Sequence, residues 1–368
     1  MLTLFSLDSG WTTSATLRRS LIGAVSSLLN ETYLKAGPEG PSGSDIDAAI
    51  KSAFIQVDDE IVHKSVERAL EQKSKAVAVE ALAPAFSGSC ALLSFYDART
   101  QELRVACTGD SRAVLGRRGS SGKWTATALS TDQTGSNPDE AARIRSAHPG
   151  EPFAVSKGRI LGQLEPSRSF GDASYKWSVE MITQLRKLFF GVRSPSHNLR
   201  TPPYVTAEPV ITTTKIRPEG GDFVVMATDG LWEMLTNEEV VGLVGKWLDS
   251  DMGQSAILSN GANPSSGSGS WWTTTSWLRF GSGKNSGLPV ERGRSEGASG
   301  QQQQQQQPPV RRLQWGMEPD TDSHFTVKDK NAATHLIRNA LGGNNEDQLC
   351  SLLSLPAPSS RRYRYFFF

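Results

Sequence analysis

The sequence predicts an α+β protein, because the spacing of its hydrophobic residues changes from helical to strand-like along the chain. Residues 13–70 repeat apolar positions every three or four residues, as amphipathic helices do. Residues 89–130 alternate with a period of two, which indicates short antiparallel strands joined by polar turns. Residues 222–248 combine an apolar strand, a turn and a helix.

The first block predicts two helices separated by a turn rich in Gly and Pro. We interpret the apolar stripe of each helix as facing the core rather than a partner groove, since most such stripes do. The stripes are Leu17, Leu21, Val25, Leu28 and Leu29, and then Ile46, Ile50, Phe54, Val57 and Ile61.

The second block predicts a meander of three strands, around residues 91–95, 103–107 and 113–115. Cys107 lies within this alternation and is interpreted as a small buried hydrophobe. In the third block, Phe223–Ala227 is apolar throughout, as expected for a central strand buried on both faces. Thr236 and Glu239 then form a capping box that begins the next helix.

Residues 249–313 are predicted to be an insert without stable structure. They are rich in Ser, Gly and Asn and contain a run of Gln at 301–307, a composition that cannot bury enough apolar surface to fold. The predicted domain therefore consists of residues 1–248 and 314–368. Its second part contains two short helices, around Ala333–Leu341 and Glu346–Leu353, the first ended by a Gly pair.

The composition excludes several classes of function. Lys and Arg total 39 against 38 Asp and Glu, so no overall positive charge would attract nucleic acid or an anionic membrane. The three cysteines form no C-x-x-C pair, which excludes a disulfide scaffold or zinc ribbon and fits a reducing compartment. No apolar run is long enough for an integral membrane span. The first residues do not resemble a signal peptide, and no targeting segment is visible in this sequence.

Three aspartates, each next to a glycine, follow predicted strands and could bind a divalent cation. They are Asp110 after Gly109, Asp172 at the end of the segment that contains Arg168, and Asp229 before Gly230. A carboxylate at the end of a rigid strand has the fixed geometry that Mg²⁺ or Mn²⁺ requires, and Gly230 allows backbone or solvent to approach closely.

Each of these segments also has an ordinary structural explanation. Asp-Gly is a common turn dipeptide, and Asp110 alone could form an Asx-turn with Arg112 or Arg168 as a surface partner. The five histidines have no metal-type spacing, and motifs for dinucleotide, P-loop, serine-hydrolase and thiol chemistry are missing from the sequence.

In chain order, six fragments resemble the type 2C metal-dependent protein Ser/Thr phosphatases. The fragments are Ser87–Leu93, Thr108–Leu115, Leu129–Asn137, Leu164–Asp172, Ala227–Leu235 and Ala340–Gly343. Four more resemble a fungal mitochondrial branch similar to pyruvate dehydrogenase phosphatase: His148–Glu151, Thr201–Pro209, Asn331–Gly343 and Leu355–Arg364.

The resemblance implies a four-layer sandwich of two antiparallel β-sheets flanked by helices, with two Mg²⁺ or Mn²⁺ ions between the sheets. It implies hydrolysis of phosphoserine or phosphothreonine by a metal-activated water, with a mitochondrial dehydrogenase subunit or similar phosphoprotein as substrate. Asp229 then matches a metal ligand, and Asp110 matches an acid near an additional, weaker metal position. Arg168 and Asp172 match a motif that supports the site. The mitochondrial location is implied by the same resemblance.

The sequence departs from the family pattern near both ends. In the family motif F-D-G-H-x-G-W, Ser6 stands at the position of the metal-bridging Asp and Asp8 at that of the His. After residues 361–364, Tyr365 begins a stretch that does not match the family's D-D-x-T-V. We therefore expect the first and last strands to be incomplete, and we assign no catalytic residue.

Three hypotheses remain open from the sequence. The chain is an Mg²⁺- or Mn²⁺-dependent phosphatase, a catalytically impaired phosphatase-fold protein that binds phosphoproteins, or a non-functional translation of a damaged gene. Preserved interior motifs favour the first, and the departures at both ends favour the other two.

Overall fold

The computed structural model describes residues 2–7, 11–72, 74–189, 192–250, 287–291 and 324–356. The chain forms two compact units that alternate along the sequence. Unit 1 is Met1–Ala113 with Leu129–Lys215, and unit 2 is Val114–Ala128 with Ile216–Phe368. This division does not follow the predicted boundaries at residues 248 and 313, which stay a prediction.

Unit 1 combines helices with a five-stranded antiparallel sheet and a separate two-stranded one. Its helices are α1 (Trp11–Ala36), α2 (Gly43–Asp59), α3 (Ser65–Glu71), α4 (Lys75–Phe86), α5 (Pro138–Ala147) and α6 (Val179–Leu188). Its strands are β1 (Leu2–Leu7), β2 (Gly88–Asp97), β3 (Glu102–Thr108), β6 (Val155–Ser156), β7 (Arg159–Ile160), β8 (Phe170–Gly171) and β9 (Val210–Lys215). The two-stranded sheet is β6-β7.

The two predicted helical stripes are confirmed. Leu17, Leu21, Val25 and Leu29 of α1 are buried, and so are all five residues of the second stripe. The α2 helix begins with a capping box in which the Ser42 and Asp45 side chains bond each other's backbone amide groups. The α4 helix was not predicted, because it is apolar all round and contains Pro84, so it presents no helical stripe.

The predicted meander is only partly correct. β2 and β3 pair antiparallel as expected, and the sheet order is β1-β2-β3-β9, with β8 pairing with the start of β2. The third strand, β4 (Arg112–Arg118), pairs instead with β5 (Trp124–Ala128). The second edge of β3 is taken by β9, which lies about a hundred residues further along the chain. Local alternation carries no information about such a distant partner.

Unit 2 contains the second antiparallel sheet and the remaining helices. Besides β4 and β5, its elements are β10 (Phe223–Ala227), α7 (Asp229–Trp232), α8 (Asn237–Leu248), α9 (Ala332–Leu341) and α10 (Glu346–Ser354). The predicted capping box at Thr236 and Glu239 is confirmed, and so are both C-terminal helices. Mixed helices and antiparallel sheets confirm the α+β class.

The prediction that β10 is a central strand was wrong for the part of the chain that the structure describes. The sheet order is β10-β4-β5, so β10 lies at an edge, and all five of its residues are only partly buried. An apolar run indicates that a strand packs against a core, as Phe223 and Val225 do. The run does not indicate how many neighbouring strands pair with that strand.

Five residues within the predicted insert, 287–291, have a defined place in unit 2. The Trp124 amide donates to the Pro289 carbonyl and the Glu291 amide donates to the Trp124 carbonyl, both at 2.8 Å. Val290 is buried in the core of unit 2. These residues therefore pair with β5 at its first residue, Trp124. The other residues of the insert beyond Ser250 and up to residue 313 lie outside the described part of the chain.

His335 is fully buried in α9 and ties this helix to α8. Its Nε2 lies 3.1 Å from the Leu243 carbonyl, and its Nδ1 lies 3.2 Å from the Asn339 amide nitrogen. A neutral ring that donates through Nε2 and accepts at Nδ1 satisfies both contacts. Burial lowers the pKa of His335. The histidine is therefore a structural residue of unit 2.

This geometry predicts a pH-dependent stability. The ring stays neutral in the folded protein while the unfolded chain takes up a proton near pH 6.5, so the contribution is complete above that pH and is lost below it. We expect His335→Gln to flatten the pH dependence of the unfolding free energy below pH 6.5 by about 1 kcal/mol per pH unit. Urea unfolding between pH 7.5 and 5.5 measures this, with exposed His63→Gln as control. Equal slopes in the two variants would contradict the assignment.

None of the described helices combines the length and the apolar character required to cross a bilayer.

Candidate functional site

The Gly109-Asp110 turn lies between β3 and β4, as the sequence predicts. Gly109 has a φ of +105°, and a Cβ added there would lie 2.1 Å from Cys90 Sγ. The position thus requires glycine for both conformation and space. The Cys90 thiol donates to Asp110 Oδ1 at 3.2 Å, and the Asp110 side chain is half-buried. The turn therefore presents a partly accessible carboxylate on a closely packed backbone.

Arg168 is the centre of a buried ion-pair network. Its guanidinium contacts both carboxylate oxygens of Glu140, at 2.8 Å to Oε1 from Nη2 and 3.1 Å to Oε2 from Nε. Its Nη1 donates to the Glu208 carbonyl at 2.7 Å. Arg143 and Ser167 also donate to Glu140. Burial alone would raise the pKa of Glu140, but these hydrogen bonds lower it to about 2. Arg168 therefore holds the loop before β8 against α5.

Asp172 follows β8 in a left-handed conformation, with φ of +46°. It accepts a 2.7 Å hydrogen bond from Ser169 Oγ, and burial raises the pKa of Asp172. A second acid, Asp58 of α2, accepts from Lys176 Nζ at 2.6 Å and from the Gly171 amide at 2.9 Å. The predicted supporting motif is thus fastened to α2 as well as to α5.

Asp229 is the first residue of α7 and directly follows β10 and Thr228. Its backbone carbonyl accepts from the Glu233 amide at 2.7 Å, while its side chain remains half-exposed. Gly230 is buried, and Trp232 Nε1 donates to the Ala227 carbonyl at 3.0 Å. The strand end and the short helix therefore hold the Asp229 backbone at a defined position, and the residue is partly exposed.

Two motifs that carry the narrower resemblance meet in unit 1. The His148 ring stacks on Tyr204 at 4.1 Å between centroids, and its Nδ1 lies 2.8 Å from Thr201 Oγ1. Glu151 accepts hydrogen bonds from the hydroxyl groups of both Thr201 and Tyr204. Burial lowers the pKa of His148. This cluster packs the loop before β9 and supplies no metal-type set of ligands.

The structure places four of the six predicted site residues in unit 1 and two in unit 2. Gly109, Asp110, Arg168 and Asp172 belong to unit 1, and Asp229 and Gly230 belong to unit 2. Among the described residues, no group of three or more Asp, Glu, His or Cys converges as a metal site. These residues by themselves do not fit the two-ion centre that the resemblance implies, and the metal roles stay a prediction.

The departures at the chain ends are only partly within the described residues. Ser6 lies in β1, where it is paired with Ala91 of β2. Asp8 and residues 357–368 lie outside the described part.

Several residues that fix these loops were not among the predicted site residues. Glu140, Asp58 and Lys176 were not singled out from the sequence, because a single charged position carries no sign of burial. Gln133 was quoted only as part of a motif, yet it is buried and bonds the backbone of the Gly109 turn. Its place directly after Asp132, within the Leu129–Asn137 motif, is the signal that could have pointed to it.

The chain is similar to known protein phosphatases. Residues 20–262 match the family Protein phosphatase 2C. A protein phosphatase 2C homologue of Schizosaccharomyces pombe is 40% identical over 98% of this chain and 70% of its own length. The mitochondrial [pyruvate dehydrogenase [acetyl-transferring]]-phosphatase 1 of Saccharomyces cerevisiae is 38% identical over 98% of this chain and 59% of its own length.

The human protein of the same name is 32% identical over 87% of this chain and 53% of its own length. The chain thus spans between half and three fifths of these two phosphatases. A solved serine-threonine phosphatase 2C from Toxoplasma gondii covers 67% of this chain, and 73% of that structure is matched, at 17% identity and a TM-score of 0.44.

The matched family covers well over half of the chain, and relatives more than 30% identical extend along nearly all of it. This chain belongs to the protein phosphatase 2C family of protein serine/threonine phosphatases.

Proposed function

We propose that this chain hydrolyses phosphoserine or phosphothreonine on a protein of a mitochondrial dehydrogenase complex, in a reaction that depends on Mg²⁺ or Mn²⁺. The observation that carries the proposal is the similarity to phosphatases named for pyruvate dehydrogenase, which extends over 98% of this chain in the yeast relative. The names of these relatives also support a mitochondrial location. If bound, Mg²⁺ or Mn²⁺ would supply an activated water for the hydrolysis, and Asp229 is the residue of this chain that we propose would help to hold an ion.

We propose that the chain's own residues bind the ions or fix the surrounding loops, and that they do not transfer protons. Asp229 presents a half-exposed carboxylate at the junction of β10 and α7. Asp110 presents another in unit 1. The Arg168–Glu140 and Lys176–Asp58 pairs fix the supporting loop. Among the described residues, no three Asp, Glu, His or Cys side chains come together.

The direct test is hydrolysis of a phosphothreonine peptide by the purified 368-residue chain, with Mn²⁺, with Mg²⁺ and with EDTA. We expect activity with either ion and none with EDTA. Asp229→Asn removes a charge without changing the shape of the side chain, and we expect it to lower kcat/KM at least about 100-fold. Asp59→Asn, at an exposed position at the end of α2, is the matched control.

Three outcomes would change the proposal. Activity that survives Asp229→Asn would show that Asp229 is not a metal ligand. Activity on the peptide but not on a phosphorylated dehydrogenase subunit would remove the substrate assignment. Phosphopeptide binding without hydrolysis under any metal condition would favour the catalytically impaired alternative.

A further inference from the structure

Gln133 is a buried glutamine whose side chain bonds the backbone of the Asp110 turn. The residue is 3% exposed, and it lies in the loop between β5 and α5. Its Oε1 accepts from the Gly109 amide at 2.8 Å, and its Nε2 donates to the Cys107 carbonyl at 3.0 Å. One amide group thus satisfies a donor and an acceptor on either side of Thr108, at the end of β3.

The backbone of Gln133 extends the same connection to a third segment. Its amide donates to the Gly109 carbonyl at 3.0 Å, and its carbonyl accepts from the Ser167 amide at 2.8 Å. Gln133 therefore joins the turn that carries Asp110 to the loop that carries Arg168. All of these residues belong to unit 1.

Two neighbouring contacts fix the surroundings of the turn, but neither of them bonds the Gly109 backbone. A side chain at Gly109 would overlap Cys90, so the turn already lies against β2. Next to Gln133, Asp132 Oδ1 accepts from Arg112 Nε at 2.9 Å, and this pair fixes the start of β4. The backbone of Gly109 itself, however, is bonded by the glutamine side chain.

We propose that Gln133 is a positioning residue, which holds the backbone of residues 107–109 so that the Asp110 carboxylate keeps its place in the site. A glutamine suits this task because it offers one donor and one acceptor without a charge near the acids Asp110 and Asp132. The catalytic part of this inference rests on the proposed phosphatase function, whereas its conformational part does not.

The test compares Gln133→Met with the wild-type chain by amide hydrogen exchange and by phosphopeptide kinetics. Methionine keeps the length and most of the volume of the side chain but has no strong donor or acceptor. We expect amides of residues 107–111 and Ser167 to exchange roughly 10- to 100-fold faster, with little change in the sheet and helices. We also expect kcat to fall roughly tenfold or more, because a displaced site residue loses its alignment, while KM changes little.

Two further variants keep the test decisive. Gln56→Met makes the same chemical change on an exposed position of α2, and we expect neither exchange nor kcat to change. Gln133→Glu keeps an acceptor for the Gly109 amide and loses the donor to the Cys107 carbonyl. If Gln133→Met does not fold, Gln133→Glu is measured in its place, with faster exchange expected at residues 107–109.

The proposal is overturned by any of three results. These are unchanged exchange in residues 107–111, a uniform increase across the whole protein that matches a loss of global stability, or faster local exchange with an unchanged kcat. If the wild-type chain has no phosphatase activity, the proposed function fails, and the exchange pattern alone decides whether Gln133 positions the turn.

Discussion

Replacing Arg168 with methionine is expected to lower the free energy of unfolding by about 3–5 kcal/mol, the cost of leaving one member of a buried ion pair without its partner. The Arg168 guanidinium makes contacts with both oxygens of Glu140 and also donates to the Glu208 carbonyl. Both side chains are nearly excluded from solvent, at 10% and 8% exposure. Arg143 and Ser167 remain as partners of Glu140 but do not replace the lost bidentate contact.

The pH dependence of this loss identifies its cause. Glu140 has a pKa of about 2 in the folded protein against 4.5 in a model peptide. Its contribution is therefore complete above pH 4.5 and is lost as the pH falls toward 2. We expect the stability difference between wild type and Arg168→Met to shrink over that range in urea unfolding.

Two variants control for loss of packing. Arg143→Met removes a half-exposed partner of Glu140, and we expect it to cost only about 0–1 kcal/mol. The double variant Arg168→Met with Glu140→Leu removes both charges and should recover much of the stability, as exchanges of buried pairs for apolar residues do. A double variant as unstable as Arg168→Met would show that packing, and not the unpaired charge, causes the loss.

Replacing Gly171 with alanine is the second change with a large expected effect. The residue has a φ of +67°, and an added Cβ would lie 2.1 Å from the Ser87 carbonyl oxygen and 2.7 Å from that of Pro84. The Ser87 carbonyl also accepts from the Asp172 amide and from Thr13 Oγ1, both at 3.0 Å, so it cannot move without breaking those bonds. We expect a loss of about 3 kcal/mol or more, from backbone strain and overpacking together.

Gly150 provides the matched control for conformational strain. Its φ is +80°, but an added Cβ would meet nothing within 4 Å. We expect Gly150→Ala to cost only about 1 kcal/mol, the penalty for an alanine in a left-handed conformation. The difference between the two variants in thermal or urea unfolding measures the steric part. Equal losses would contradict the close approach of β8 to the Ser87 carbonyl.

The sequence by itself determined the elements whose signals are local. The stripes of α1 and α2 predict buried faces because a helix repeats every 3.6 residues, and both faces are buried in the structure. The capping box at Thr236 and Glu239 is likewise a matter of residues three apart. The ordered motifs pointed to the phosphatase family without any knowledge of the fold, since motif order is a property of the chain alone.

Only the tertiary structure decided which distant residues meet. β3 pairs with β9 rather than β4, and β10 lies at the edge of its described sheet, because strand pairing depends on partners that local periodicity does not name. The burial of Glu140, Lys176 and Gln133 was likewise invisible in the sequence. A charged or polar side chain becomes part of a site only when folding removes its water and supplies partners, as Arg168 does for Glu140.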